Sequence, residues 1–108
     1  MTEAQAIAAL SAMASQPRLA VLRQLIRAAP EGRSAGDIAA ALSASPSRTS
    51  FHLSVLSEAG LVDSTRAARH VVYRARLETA GALIGYLLED CCADRPEIRA
   101  CCGLSSPS

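Results

Sequence analysis

The sequence predicts a mainly α-helical fold with one small β-hairpin, for reasons of composition and of spacing. Half of the 108 residues are hydrophobic, yet aromatic residues make up only 3% and Trp is absent. A core of Ala, Leu, Val and Ile favours helices over a β-sandwich. Hydrophobic residues recur at helical spacing up to Gly60 and then about every second residue, which is the spacing of strands. A chain of this length supports one domain, whose modest core a dimer would enlarge.

The first part of the chain predicts three helices. Apolar residues at intervals of three indicate the first, Pro17 stands at the start of the second, and Ser34 with Asp37 resembles a capping box at the start of the third. The predicted spans are residues 3–14, with Ile7, Leu10 and Met13 on its apolar side, residues 18–28, and residues 34–42.

A fourth helix, over residues 45–60, has both of its ends defined by the sequence. Ser45 is a suitable N-cap, Pro46 stands at the first helical position, and Gly60 can adopt the left-handed conformation that ends a helix. Its inner side carries Leu53, Leu56 and Ala59, with Thr49 one turn earlier. The first two turns carry groups that suit phosphate oxygens and base edges, namely Ser47, Arg48, Thr49, Ser50 and His52. This helix is therefore predicted to contact DNA.

The residues after Gly60 predict a hairpin and one last helix. Residues 61–64 and 70–74 are β-prone, and the segment 65–69 between them forms a basic tip. A short helix, a turn, a capped helix and this wing make a winged helix-turn-helix of about five helices and a two-stranded wing. The last helix, from about residue 78 to 93, has two apolar faces, and we expect a homodimer through the terminal helices. The alternative is a monomer that covers both faces itself.

The distribution of charge and hydropathy limits the classes of partner that the chain can bind. Between Arg48 and Arg76 there are five Arg and two acidic residues, which gives +3 in a chain of net charge +1. A local basic patch of this kind is typical of a nucleic-acid footprint. No segment has the length of a membrane span or the pattern of a leader, which predicts a cytoplasmic protein without a membrane partner. An enzyme is disfavoured because the chain lacks a Cys-x-x-Cys at a helix start, a βαβ pattern and a phosphate-binding loop.

Four segments, in the same order and spacing, resemble the ArsR/SmtB repressors, which are dimeric winged-helix metal sensors of bacteria. The segments are residues 17–22, 45–56, 58–62 and 69–74, and the resemblance covers about residues 5–92. It implies a DNA-binding and dimerisation domain over 1–93, with a cysteine-containing tail over 94–108. It also implies that the helix over 45–60 is the recognition helix, and that the wing contacts the flanking backbone or minor groove. Arg48, Arg66 and Arg69 would then supply part of the salt-dependent affinity for double-stranded operator DNA.

The chain departs from the family pattern at informative positions. Residues 34–37 stand where the family often has a Cys-Val-Cys arrangement, so that metal site is absent, and the zinc-sensor pattern on the last helix is missing as well. Ala68 replaces the usual wing glycine. Phe51 stands where a His is common; it either points outward, where it could contact a thymine methyl group, or packs against the preceding helix.

All four cysteines lie within twelve residues, as the pairs Cys91–Cys92 and Cys101–Cys102. Asp94 and Pro96 disfavour continuation of the helix between the pairs, so the tail can fold back. Trivalent arsenic and antimony prefer three thiolates, whereas zinc or cadmium prefers four. The chain is similar to the arsenite-sensing branch of the family, which has a Cys-Cys pair at the end of the last helix. This resemblance implies that Cys91, Cys92 and one of Cys101 and Cys102 bind As(III) or Sb(III). The fourth thiol would then be auxiliary.

These observations predict a repressor whose dimer places two recognition helices in successive major grooves and releases DNA when the thiolates bind a metalloid. Three alternatives remain for the cysteines: Cd, Pb or Zn on four thiolates, a thiol-oxidation switch, and inert thiols. A protein-interaction module without DNA binding is a further alternative, against which the five-Arg patch argues.

Overall fold

The fold is a helical domain with a small antiparallel sheet, and the computed structural model describes residues 1–103 of it. The elements are α1 Glu3–Met13, α2 Gln16–Arg27, β1 Arg33–Ser34, α3 Ala35–Leu42, α4 Pro46–Glu58, β2 Val62–Ala67, β3 His70–Ala75, α5 Leu77–Tyr86 and α6 Pro96–Cys101. Residues Leu87–Cys91 continue α5 as one π-helical turn. The predicted winged helix-turn-helix is confirmed, with six helices in the described part because the tail forms α6. Residues 104–108 of the predicted tail lie outside the described residues.

Hydroxyl side chains define where the helices begin. Thr2 and Gln5 form a reciprocal capping box at the start of α1, with the amide of Gln5 donating to Oγ1 of Thr2 at 3.1 Å. Ser34 accepts from the amide of Asp37 at 3.2 Å, and Ser45 accepts from the amide of Arg48 at 3.2 Å, so both predicted N-caps are confirmed. The short turn between these two capped helices fixes α4 beside α3.

The sheet has three antiparallel strands in the order β1-β3-β2. The wing strands are longer than predicted: they pair from Val62 opposite Ala75 to Ala67 opposite His70, which leaves only two residues at the tip. Strand β1 was not predicted, because two residues are too few to show an alternating pattern. Gly32, before β1, has a φ of 80°, and a Cβ there would overlap the carbonyl oxygen of Tyr73. This glycine therefore permits the close approach of β1 to β3.

The core lies where α2, α3, α4 and the start of the wing meet. Its largest fully buried apolar side chains are Val21, Leu25, Ile38, Leu53, Leu56 and Leu61. Helix α1 packs on it through the small residues Ala6, Ala9 and Ala12. Of the predicted apolar side, Met13 is partly buried against the core, but Ile7 and Leu10 are not part of it. Ile7 and Leu10 are instead 59% and 41% exposed in the single chain. Among residues 1–103, no helix combines the length and apolar character that a membrane crossing requires.

Candidate DNA-binding surface and cysteine site

Helix α4 has one exposed side that is polar apart from a single aromatic ring. Its exposed residues include Ser47, Arg48, Ser50, Phe51 and Ser54, which we call the outer face of α4. Successive residues of an α-helix are about 100° apart, which places Ser47, Ser50, Phe51 and Ser54 within one broad sector, with Arg48 at its flank. Three of the predicted DNA contacts, Ser47, Arg48 and Ser50, therefore lie on an accessible surface.

The other two predicted contacts on this helix are on its inner side. Thr49 is 1% exposed and His52 is 8% exposed. They lie about 200° and 140° around the helix from Ser47, on the side of Leu53 and Leu56. This burial corrects the prediction that Thr49 and His52 contact DNA directly. Among the described residues, the Thr49 hydroxyl has no hydrogen-bond partner.

His52 is held by a residue that the sequence analysis did not single out. Arg18 of α2 donates from Nε to the carbonyl oxygen of Ala12 at 2.6 Å, and its Nη1 lies 3.4 Å from Nδ1 of His52. Burial lowers the pKa of His52, and the positive charges of Arg18 and Arg48 lower it further. A neutral imidazole with an unprotonated Nδ1 can accept from Arg18, so this contact connects the end of α1 to α4.

The arginines of the predicted basic patch have two different roles. Arg74 donates to the carbonyl oxygen of Pro30 at 3.1 Å and to Oγ1 of Thr65 at 2.5 Å, and Arg76 pairs with Glu78 at 3.1 Å. These two guanidinium groups stabilise the wing and the start of α5. Arg48, Arg66 and Arg69 are exposed and form no ion pair within the described part of the chain. Of the five arginines of the patch, these three are therefore the exposed ones without an ion pair among the described residues.

The turn after α5 directs the tail back toward the end of that helix. Ala93 and Asp94 both have positive φ, at 53° and 52°, and the carboxylate of Asp94 pairs with Arg99 of α6. The amide of Asp94 also donates to the carbonyl oxygen of Leu88 at 2.6 Å. The tail folds back, as the sequence predicted.

The folded tail brings two of the four cysteines to one cavity. Cys92 and Cys102 line an apolar cavity of about 310 Å³ together with Ile84, Leu87, Leu88 and Ile98. Cys92 is half-buried, while Cys91, Cys101 and Cys102 are exposed, and all four thiols are free. Burial raises the pKa of the Cys92 thiol, with further contributions from a hydrogen bond and charge of Cys91 and from the charge of Cys102. The amide of Cys92 donates to the carbonyl oxygen of Leu87 at 2.9 Å, which closes the π-helical turn.

The predicted set of three or four thiolates is not assembled in the single chain. Within residues 1–103, no group of three or more His, Cys, Asp or Glu side chains lies close enough to hold a metal ion. Cys91 and Cys101 are neighbours of the two cavity thiols in sequence but do not line the cavity. The structure therefore places two of the four thiols on one cavity and leaves Cys91 and Cys101 outside its lining.

The sequence is similar to known regulators over most of its length. A family model described as a helix-turn-helix domain matches residues 13–65. The HTH-type transcriptional regulator YgaV of Escherichia coli (strain K12) is 37% identical over 83 residues, which are 77% of this chain and 82% of that protein. The matched helix-turn-helix segment contains α3 and α4.

Solved structures share the fold. An ArsR-like transcriptional regulator from Rhodococcus sp. RHA1 has a TM-score of 0.73 at 24% identity, covering 90% of this chain and 89% of that chain. A homodimeric winged helix-turn-helix DNA-binding domain from Mycobacterium bovis, a possible ArsR-family transcriptional regulator, has a TM-score of 0.62 at 26% identity, covering 80% and 83%. The similarity to YgaV, a transcriptional regulator, confirms the prediction of a regulator rather than an enzyme, and the homodimeric domain supports the predicted dimer.

Proposed function

Because this chain belongs to the ArsR-type winged helix-turn-helix transcriptional regulators, we propose that it is a repressor that releases its operator when C-terminal cysteines bind trivalent arsenic or antimony. The observation that carries the proposal is the position of Cys92 and Cys102 on one apolar cavity between α5 and α6. The cytoplasm is the compartment we assign to it, because thiols stay reduced there.

The outer face of α4 and the tip of the wing are the proposed DNA contacts. Ser47 and Ser50 have hydroxyls at the right side of the helix to bind phosphates or base edges in a major groove. Arg48 and the wing residues Arg66 and Arg69 supply positive charge to the backbone on either side. In a dimer, two copies of this surface would contact two half-sites about one helical turn apart.

The cavity suits a soft, uncharged adduct. Each thiol would exchange for one hydroxyl of arsenous acid, forming a sulfur–arsenic bond and releasing one water with no change in oxidation state. With a third thiol moved to the cavity, three thiolates would neutralise the charge of As(III), whereas four thiolates on a divalent ion would leave a net charge of about −2, which is costly among apolar side chains. The walls formed by Ile84, Leu87, Leu88 and Ile98 therefore favour arsenic or antimony over zinc or cadmium.

A path of contacts leads from this cavity to the recognition helix. A bridge between Cys92 and Cys102 would hold α6 against the end of α5, and α5 packs on α1. The carbonyl of Ala12, in the last turn of α1, accepts from Arg18, which in turn lies beside His52 of α4. A movement at the end of α5 could thus change the orientation of α4. A coupling of about 1–3 kcal/mol would weaken DNA binding roughly 5–150-fold.

The test is release of DNA from the reduced full-length protein, kept reduced with a phosphine so that no added thiol competes. A fluorescent operator obtained by selection from random DNA is bound, and arsenite, antimonite, Cd²⁺, Pb²⁺ and Zn²⁺ are titrated while anisotropy is followed. We expect release by arsenite and antimonite at the lowest concentrations. Release by Cd²⁺, Pb²⁺ or Zn²⁺ with no response to arsenite would replace the proposal with the divalent-metal alternative.

Two paired variants locate the site. Cys92→Ser with Cys102→Ser should bind the operator as the wild type does and lose the response to arsenite. Cys91→Ser with Cys101→Ser keeps both cavity thiols and should retain a weakened response. Loss of DNA binding in the first pair would mean that these thiols are structural.

Thiol oxidation is the second candidate, because two thiols on one cavity could also form a disulfide. The raised pKa of Cys92 argues against it, since a thiol that stays protonated near neutral pH reacts slowly with oxidants. Release of the operator by peroxide in the absence of arsenite, reversed by the phosphine, would favour this candidate.

A further inference from the structure

Phe51 is an exposed aromatic side chain in the middle of the outer face of α4. It is the only Phe in the chain and is 61% exposed, more than any other large hydrophobic residue in the described part. The sequence left two positions open for it, outward or against the preceding helix, and its exposure places it outward. An exposed ring of this size on a helix that contacts DNA has no role in the core.

The Phe51 ring extends further from the helix than its neighbouring side chains, and one side of it contacts His52. Ser47, Ser50 and Ser54 share its side of the helix, and none of them reaches as far from the helix axis as a phenyl ring. On its other side the ring lies against His52, with ring centroids 5.6 Å apart and an angle of 59° between the planes. His52 is itself buried and in contact with Arg18. Phe51 is therefore the one exposed apolar side chain of the outer face of α4, and it lies beside His52, which is held by Arg18.

We propose that Phe51 contacts the C5 methyl group of a thymine in the major groove and so selects the operator sequence; this rests on the DNA contact of α4 in the proposed function. A phenyl ring offers no hydrogen-bond donor or acceptor to a base edge. The thymine methyl group is the apolar feature that standard bases present in the major groove.

Removal of the methyl group tests the contact without changing base pairing. An operator is selected from random DNA with the wild-type protein, and each dT is replaced in turn by dU. Loss of one buried methyl corresponds to about fourfold in affinity, and loss in both half-sites to about 15-fold. We expect this effect at one thymine position of each half-site. A second comparison replaces the base pair at that position, so that either 5-methyl-dC or dC occupies the place of dT. We expect the operator with 5-methyl-dC to bind more tightly than the operator with dC.

Protein variants assign the effect to the ring. Phe51→Ala should bind the dT operator more weakly and should no longer distinguish dT from dU at that position. Ser50→Ala shortens a neighbour on the same face and should lower both affinities equally, while Ile26→Ala, an exposed apolar residue of α2, should change neither. Thermal unfolding of Phe51→Ala should match that of the wild type, because the ring is exposed.

The outcomes separate this inference from the proposed function. Equal sensitivity to dU in Phe51→Ala and the wild type, or no sensitive thymine in the wild type, overturns the thymine contact. Arsenite-induced release of the operator in the same experiment would still support the proposed function. Absence of sequence-selective DNA binding by the wild type overturns both.

Discussion

Nη1 of Arg18 lies 3.4 Å from Nδ1 of His52, although 34 residues separate the two along the chain. The same guanidinium donates from Nε to the carbonyl oxygen of Ala12 at 2.6 Å. One side chain of α2 therefore contacts both the last turn of α1 and the inner side of α4. The position of α4 depends on this contact as well as on its own apolar face.

Acid should weaken this contact. The pKa of His52 lies below its ordinary value of 6.5 in the folded chain, so below about pH 6.5 the unfolded chain takes up the proton first. The contribution of neutral His52 to the free energy of unfolding is therefore fully present above pH 6.5. It decreases as the pH falls from there toward the pKa of the folded state. We expect a decrease in the thermal midpoint between pH 7 and pH 5 that His52→Asn lacks. His70→Asn, at an exposed wing position, serves as the control and should follow the wild type.

Replacement of Arg18 should destabilise the domain and misplace α4. A hydrogen bond from a charged donor contributes about 1.5–3 kcal/mol, and Arg18→Ala removes the bond to Ala12. We expect a loss of that order in urea unfolding, together with weaker operator binding at a pH and temperature where the variant is folded. A double-mutant cycle with His52→Ala measures the coupling between the two residues. A coupling energy of zero would contradict a role for their contact.

The three free arginines should determine the salt dependence of DNA binding. Each phosphate contact contributes about 0.9 to the slope of log affinity against log salt, so replacement in both protomers of a dimer removes about 1.8. We expect this change for Arg48→Ala, Arg66→Ala and Arg69→Ala. Arg76→Ala is the matched control, because Arg76 is paired with Glu78. An unchanged slope for Arg48→Ala would remove the outer face of α4 from the DNA interface.

The dimer should depend on the exposed side of α1. Ile7 and Leu10 are 59% and 41% exposed while the alanines beside them pack on the core. Ile7→Glu with Leu10→Glu should give monomers by analytical ultracentrifugation at micromolar concentration, because each burial of a charge without a partner is costly. Ile26→Glu places the same charge at another exposed apolar position, on α2, and should leave the dimer intact. Dissociation by Ile26→Glu alone would locate the interface elsewhere.

Much of the architecture follows from local signals in the sequence. The bounds of α4 were predictable because Ser45, Pro46 and Gly60 are each suited to one position at a helix end, and their geometry is as expected. The wing was predictable because β-prone residues such as Val62, Val71, Val72 and Tyr73 lie on either side of a polar segment, although neither strand alternates in burial. The pattern is weaker at their ends, so the predicted strands were too short. Strand β1 has no local signal and depends on the space that Gly32 leaves beside Tyr73.

The site was less predictable, because polar residues were assigned by their chemistry and not by their angle around the helix. Thr49 and His52 could bind DNA as side chains, but the helical period places them with Leu53 and Leu56. The orientation of α1 was also open, since this helix is apolar on every side and its neighbours determine which side is buried. The partner of His52, Arg18, is distant in sequence and could not be found from spacing.

The single π-helical turn at the end of α5 decides which member of a vicinal pair is turned inward. In an α-helix the residue four positions after Leu87, Cys91, would return to nearly the same side of the helix. In the π-helical turn the residue five positions on does so, and Cys92 shares the cavity with Leu87. The π-helical turn has one extra residue, and its hydrogen bond runs from the amide of Cys92 to the carbonyl of Leu87. This geometry places the sulfur of Cys92, and not that of Cys91, at the cavity. The backbone of this turn therefore determines which thiol of the pair lines the cavity.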